Sequence, residues 1–168
     1  MSQKLGLEEA LDIAMDTELK AQAFYARAAA EVQEPQGRDL LGRLAAFEHY
    51  HYEQLAKLAK ALQKDGQFIE YETRTVDQFV PIIGRGETAG TQLDELEDVA
   101  SILSKAIENE KIAGDRYRVL AEETSEPAGQ DMFRKLANEE MIHQRILEDE
   151  FFSISNKGTW GWSGMYGE

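Results

Sequence analysis

The sequence predicts an all-α protein, a four-helix bundle made of two repeated helical hairpins joined by a long crossover. Two observations lead to this fold class. Apolar residues recur at helical spacing in four long stretches, and the two halves of the chain repeat each other. Proline is rare, at 3 of 168 residues. We expect helices at residues 7–32, 37–62, 93–123 and 127–152.

Prolines, glycines and a capping residue mark the ends of these helices. Pro35 and Gly37 separate the first helix from the second, and Pro127 suits the first turn of the fourth helix. Thr91 is a suitable N-cap for the third helix. These signals divide the periodic stretches into four helices.

Two segments fall outside the helical pattern. Residues 65–92 are too long for a tight turn between helices, so we expect a crossover along the bundle that is buried through Phe79 and the apolar residues 80–83. Residues 156–168 are rich in glycine and aromatic residues. We expect them to form a tail that docks on the body, contacts a partner or is disordered. The bundle domain then takes residues 1–155.

The internal repeat has a period of 92 residues and no gap. Its informative feature is the set of polar and aromatic residues that coincide, since a repeated bundle by itself says nothing about function. The coinciding pairs that bear on function are Glu18 with Glu110, Tyr25 with Tyr117, Glu48 with Glu140, and His51 with His143.

Two of these pairs form a Glu-x-x-His motif, at Glu48 and His51 and again at Glu140 and His143. Residues three apart share one face of a helix, so each carboxylate and imidazole can reach the same metal ion. A single Glu-x-x-His in a Glu-rich chain is weak support for a metal site. Two copies in register with a repeat are strong support.

Glu18 and Glu110 complete a set of six candidate ligands. Each lies as far before its hairpin turn as the Glu-x-x-His motif lies after it, so the antiparallel helices bring them level. The alternative is a pair of surface glutamates. Two glutamates on two helices plus two Glu-x-x-His motifs equal the inward-facing set of di-iron carboxylate bundles. Four carboxylates balance two divalent ions, and this donor set suits Fe or Mn, with Zn or Co as substitutes.

The composition excludes several other kinds of function. A net charge of −14 disfavours binding to nucleic acid and to anionic membranes. The absence of cysteine excludes disulfides, thiol catalysis and Fe–S centres, and Met15, Met132 and Met141 suit the core better than haem ligation. The N-terminus lacks an apolar signal core and no apolar run is long enough to span a membrane, so we expect a cytoplasmic protein.

These motifs resemble the rubrerythrin branch of the ferritin-like superfamily over about residues 7–152. The resemblance implies two iron ions bridged by Glu48 and Glu140, with Glu18, Glu110 and one histidine per ion as terminal ligands. Two departures stand out. Without cysteine there is no rubredoxin-like module, and Ala113 occupies the position of an extra rubrerythrin glutamate. The six-residue set is closer to that of bacterioferritin.

The resemblance implies a di-iron oxidoreductase, a peroxidase or oxidase that reduces hydrogen peroxide or dioxygen with electrons from an external donor. The alternatives are a ferroxidase or iron-storage protein and a bundle with a merely structural metal. We also expect a homodimer.

Several other polar residues have less specific roles in this interpretation. Tyr25 and Tyr117 pack in the core or donate hydrogen bonds to ligand carboxylates. We expect His49 at the surface, and Glu53 and Glu139 on solvated helix faces.

Overall fold

The computed structural model describes residues 4–83 and 99–164. It has four α-helices, α1 (Leu7–Glu31), α2 (Pro35–Asp65), α3 (Val99–Glu123) and α4 (Pro127–Lys157). The predicted all-α fold class is confirmed. Thr91 and the predicted start of the third helix at residue 93 lie outside the described residues.

The helices of the two hairpins match closely. α2 and α4 each have 31 residues, and both of their ends lie 92 positions apart, as do the C-terminal ends of α1 and α3. α2 and α4 stop at equivalent glycines, Gly66 and Gly158, at φ of 63° and 71°. Only glycine adopts this left-handed conformation without strain. Both long helices therefore run further than the apolar pattern alone predicted.

The core divides into two apolar clusters, one towards each end of the bundle. The first joins the C-terminal half of α1 to the N-terminal parts of α2 and α3, and includes Tyr25, Phe47 and Leu103. The second lies around Leu11 and Phe133. Between them the four helices carry a layer of buried carboxylates and imidazoles. None of the described helices could cross a membrane.

The crossover packs on the bundle through Phe79, as predicted, but most of residues 80–83 are not buried. Val80 is 83% exposed, and Ile82 and Ile83 are also exposed, whereas Tyr71 and Val76 are buried. The segment contacts α2 mainly through its backbone, because the amide of Ile82 donates to the carbonyl of Gly42 at 2.9 Å. The side chains of Val80, Ile82 and Ile83 remain in solvent. Phe79 alone of the predicted group packs against the core, where it contacts both clusters.

The described part of the tail docks on the body. Trp160 and Trp162 are buried, and the Trp162 indole N–H donates to Asp39 on α2 at 2.7 Å. A side chain at Gly37 would overlap Trp160, whose ring lies 2.4 Å from the position of a Cβ there. Docking is thus the correct one of the three expectations for residues 158–164, and α4 continues two residues past the predicted boundary at 155.

Candidate metal centre

All six predicted ligand residues lie together in the middle of the bundle. Each is at most 3% exposed, although they come from four different helices. The six are Glu18 on α1, Glu48 and His51 on α2, Glu110 on α3, and Glu140 and His143 on α4. The repeat explains this convergence, because the two hairpins bring equivalent residues to the same level.

The six side chains form two groups of four that share two members. Glu18 and His51 belong to one group, Glu110 and His143 belong to the other, and Glu48 and Glu140 belong to both. Within each group the potential ligand atoms lie within 4.8 Å of one another. The arrangement offers two adjacent positions for cations with a common edge of two carboxylates.

Helix geometry brings the carboxylate and imidazole of each Glu-x-x-His motif together. His51 Nδ1 lies 3.1 Å from Glu48 Oε2, and His143 Nδ1 lies 3.2 Å from Glu140 Oε2. Both distances follow from the rise of about 4.5 Å over three residues of a helix. In each motif Nδ1 is the imidazole nitrogen that faces the cluster.

Three buried atoms in the cluster have no hydrogen-bond partner: Glu48 Oε1, Glu140 Oε2 and His143 Nδ1. They face one another, since His143 Nδ1 lies 3.3 Å from Glu48 Oε1 and 3.2 Å from Glu140 Oε2. Buried polar atoms are almost always satisfied, so a group of orphans needs an explanation. A metal ion bound between them would supply the missing interaction to all three, and the donor set therefore fits a metal.

Two tyrosines link the hairpins through reciprocal hydrogen bonds. The Tyr25 hydroxyl on α1 donates to Glu110 on α3, and the Tyr117 hydroxyl on α3 donates to Glu18 on α1. Burial and the adjacent glutamate charges raise the pKa of both tyrosines well above the ordinary value. Both tyrosines therefore remain donors, and each holds a carboxylate of the opposite hairpin in place.

The carboxylates of the cluster differ in their affinity for protons. Burial raises the pKa of Glu18 and Glu110, and other carboxylates raise it further. Burial also opposes ionisation of Glu48 and Glu140, but the adjacent imidazoles of His143 and His51 outweigh it and lower the pKa of both. In the absence of metal, the two shared carboxylates are therefore the ones most readily ionised.

Burial and neighbouring carboxylates affect the pKa of the two histidines in opposite directions. Burial alone would lower the pKa of His51 and His143, but the surrounding glutamates raise the pKa of both histidines well above the ordinary value. The metal-free cluster thus compensates its charge with protons on the imidazoles and on Glu18 and Glu110.

Glu139 belongs to the site, and its assignment to a solvated face was wrong. It is 5% exposed and accepts three hydrogen bonds. The donors are His51 Nε2 at 2.9 Å, the Tyr71 hydroxyl, and the backbone N–H of Arg74 at 3.1 Å. Two of these donors come from the crossover, which has no periodic pattern. The repeat did hold a signal, because Glu139 occupies the position of a core residue, Phe47.

His49 and Glu53 lie at the surface as expected, whereas Met141 is partly exposed on α4 and belongs to neither core cluster. His49 is 43% exposed at its side chain and pairs with Glu53, which is also exposed. Met132 is buried in the core, while Met15 packs at the core's margin.

Fold and site together define a ferritin-like helical bundle with a buried carboxylate and imidazole cluster suited to metal. The rubrerythrin family model matches residues 1–59 and 101–157, which include all six cluster residues, and the chain belongs to this family. Among solved structures, a hypothetical protein from Pyrococcus furiosus is similar in fold, with 24% identity and a TM-score of 0.65. The match covers 92% of this chain and 93% of that one. A comparison with curated proteins finds no match.

Proposed function

We propose that the chain is a non-haem di-iron oxidoreductase that reduces hydrogen peroxide or dioxygen with electrons from an external donor. The observation that carries this proposal is the pair of four-residue groups that share Glu48 and Glu140. A single ion needs one such group, and the shared edge makes room for a second ion close to the first. Membership of the rubrerythrin family supports iron as the metal.

The chain's own residues would divide between the two ions. Glu18 and His51 would hold one ion, Glu110 and His143 the other, and Glu48 and Glu140 would bridge them. Four ionised carboxylates would then neutralise two divalent ions, so a charged cluster would become stable in the core. Mn, Zn or Co can occupy such a donor set, which contains no thiolate.

When bound, iron would supply the electrons that reduce an O–O bond. The protein's part is positional. Tyr25 and Tyr117 hold two carboxylates in orientation, and Glu139 accepts the Nε2 proton of His51, which leaves Nδ1 free to face a metal ion. Because the chain has no cysteine, a separate protein or small reductant would return the electrons.

A ferroxidase or iron-storing role is the second candidate, and the two-fold symmetry of the six ligands favours it. Storage requires a large hollow shell of many chains, whereas an oxidoreductase requires no more than the expected homodimer. Size-exclusion chromatography with light scattering separates these assemblies. A particle far larger than a dimer would favour storage.

Metal analysis followed by a single-turnover reaction tests the proposal. Protein purified from its own host is expected to carry two iron ions per chain. Anaerobic reduction and mixing with peroxide should then oxidise the iron, with an absorbance change in the near ultraviolet. If the iron stays ferrous after mixing with peroxide and with dioxygen, both redox functions are excluded and a structural role for the metal remains.

A further inference from the structure

Two neighbouring cavities lie between α1 and α3, an outer one of about 170 Å³ and an inner one of about 20 Å³ at the carboxylate cluster. Both cavities are lined by the same four residues, Thr17, Ala21, Asn109 and Ala113. We refer to these four residues as the α1/α3 seam.

The seam is open because its two central side chains are methyl groups. Ala21 and Ala113 are equivalent in the repeat, and each lies three residues after a cluster glutamate. Both alanines are partly exposed, whereas Glu18 and Glu110, one helical turn earlier, are 1% and 3% exposed. Solvent therefore reaches the seam and stops at the cluster carboxylates.

The inner cavity ends at the cluster. Its lining includes three cluster carboxylates, Glu18, Glu110 and Glu140. A molecule that passed between the two alanines would therefore meet the cluster directly.

Two cations lie at the outer cavity of a chain with a net charge of −14. Lys20 is paired with Asp16 at 2.8 Å. Arg116 on α3 instead donates to the hydroxyl of Thr17 on α1 at 2.8 Å, and so reaches across the seam. Because its partner is a neutral hydroxyl, its positive charge can act on molecules that approach the cavity.

We propose that the α1/α3 seam is the route by which small neutral or anionic molecules reach the cluster, with Arg116 as the residue that favours anions. This assignment rests on the proposed function only for the identity of the natural molecule, a peroxide or dioxygen. The positive charge at the mouth makes the seam a poor route for metal cations. The proposed route does not depend on iron as the native metal, because it is argued from the cavities between α1 and α3 alone.

Cysteine accessibility tests the route without reference to catalysis. The chain has no cysteine, so Ala113→Cys introduces a single thiol in the seam. Its thiolate displaces iodide from iodoacetamide or iodoacetate and forms a carbon–sulfur bond, and mass spectrometry of the full chain gives the rate. Ala106→Cys on the same helix is the matched control, because Ala106 is completely buried in the core.

The expected result is that Ala113→Cys reacts at least about tenfold faster than the buried control, which would require local unfolding to react. Ala21→Cys provides the same measurement on the opposite wall if the first variant does not fold. Equal protection of the seam and control cysteines would overturn the proposal, whether the cause is a closed seam or a partner that covers it.

A second comparison tests Arg116. In the Ala113→Cys background, Arg116→Gln should lower the ratio of the iodoacetate rate to the iodoacetamide rate about threefold, the size expected for loss of one charge a few ångströms away. The ratio cancels any change in thiol pKa, which affects both reagents equally. Arg118→Gln removes an equal charge from an exposed arginine outside the seam. An equal ratio change in both variants would refute the role of Arg116.

Discussion

The two hairpins carry the same six-residue pattern but surround their histidines differently. In the first hairpin, the Nε2–H of His51 donates a hydrogen bond to Glu139. The same carboxylate accepts hydrogen bonds from Tyr71 and Arg74 of the crossover. Both imidazole rings pack edge-on against Phe47, His51 at 4.6 Å and His143 at 4.4 Å. Beside His143, however, a cleft of about 150 Å³ opens. The cluster is therefore symmetric in its six residues and asymmetric in the contacts around its two histidines.

The same difference recurs at the far end of α4. Glu150 is buried and accepts the backbone N–H of Gly161 in the tail, whereas its equivalent on α2 is the core residue Leu58. Glu139 and Phe47 are related in the same way. Twice, then, α4 has a buried glutamate where α2 has an apolar residue, and each glutamate anchors a segment that lies outside the repeat. The repeated residues form the cluster, and the two glutamates that lack a counterpart on α2, Glu139 and Glu150, bind the crossover and the tail.

The largest expected effect is the difference in metal binding between the carboxylates that belong to both groups and those that belong to one group. Glu48→Gln removes a bridge from both groups, so we expect the affinity for both ions to fall by more than about 100-fold. Glu18→Gln and Glu110→Gln should each lose one ion and retain the other. Metal analysis after dialysis against a weak chelator measures these stoichiometries. Retention of one ion by Glu48→Gln would show that this carboxylate is not a bridge.

Substitution of Glu139 should weaken metal binding at His51 and leave metal binding at His143 unchanged. Glu139→Gln removes a charged acceptor from His51 Nε2, and we expect the ion at His51 to bind about 10- to 100-fold more weakly, with the ion at His143 unaffected. Competition titrations with a chromophoric chelator resolve the two steps. Glu53→Gln, an exposed glutamate on α2, is the control. If the affinities for both ions fell equally, Glu139 would act on the whole cluster and not on His51 alone.

Metal binding should release protons, and it should do so equally from the two hairpins. Since the pKa values of Glu18, Glu110 and both histidines are raised, these groups hold protons at pH values where exposed equivalents have lost them. A metal ion must displace those protons, so affinity falls as pH falls, by about tenfold per pH unit for each proton released. Calorimetry in buffers of different ionisation enthalpy counts the protons. Buffer-independent heats would contradict this picture.

The convergence of the six cluster residues was predictable and their surroundings were not, for a physical reason. Periodic apolar residues fix which helix face turns inward, and antiparallel pairing fixes the height, so Glu18 and His51 could be placed from spacing alone. Tyr71 and Trp162 occupy segments without periodicity, where backbone contacts with the helices decide which side chains are buried. The apolar run at 80–83 misled for the same reason, since the segment contacts α2 through the backbone of Ile82 while Val80, Ile82 and Ile83 remain exposed.

The reciprocal tyrosines provide a finer test of symmetry. Tyr25→Phe and Tyr117→Phe each remove an O–H donor from a buried carboxylate, and each should lower the free energy of unfolding of the metal-free protein by about 1–3 kcal/mol. Chemical denaturation measures the free energy of unfolding of both variants. Tyr52→Phe, at a partly exposed position outside the cluster, is the control. A markedly larger loss in one variant would show that the hairpins do not hold each other equally.

Glu150→Gln should have the smallest effect, and it tests whether the tail depends on the anchor's charge. Burial raises the pKa of Glu150 despite the hydrogen bond from the Gly161 backbone. A raised folded-state pKa means that the ionised form costs the folded protein free energy, a cost that appears as pH rises through that pKa and vanishes below the unfolded value. The neutral glutamine, which keeps an acceptor oxygen, should therefore stabilise the protein by about 1 kcal/mol or less at pH 7.

That gain should disappear as the pH falls towards 4.5, the ordinary value for a glutamate. Thermal denaturation across this range measures it, and Glu148→Gln, at an exposed position on α4, corrects for the general loss of one charge. If Glu150→Gln instead destabilises the protein at pH 7 and frees the tail, as an increase in tryptophan solvent exposure would reveal, then the charge itself holds the Gly161 amide. The tail would then depend on an ionised anchor, as His51 depends on Glu139.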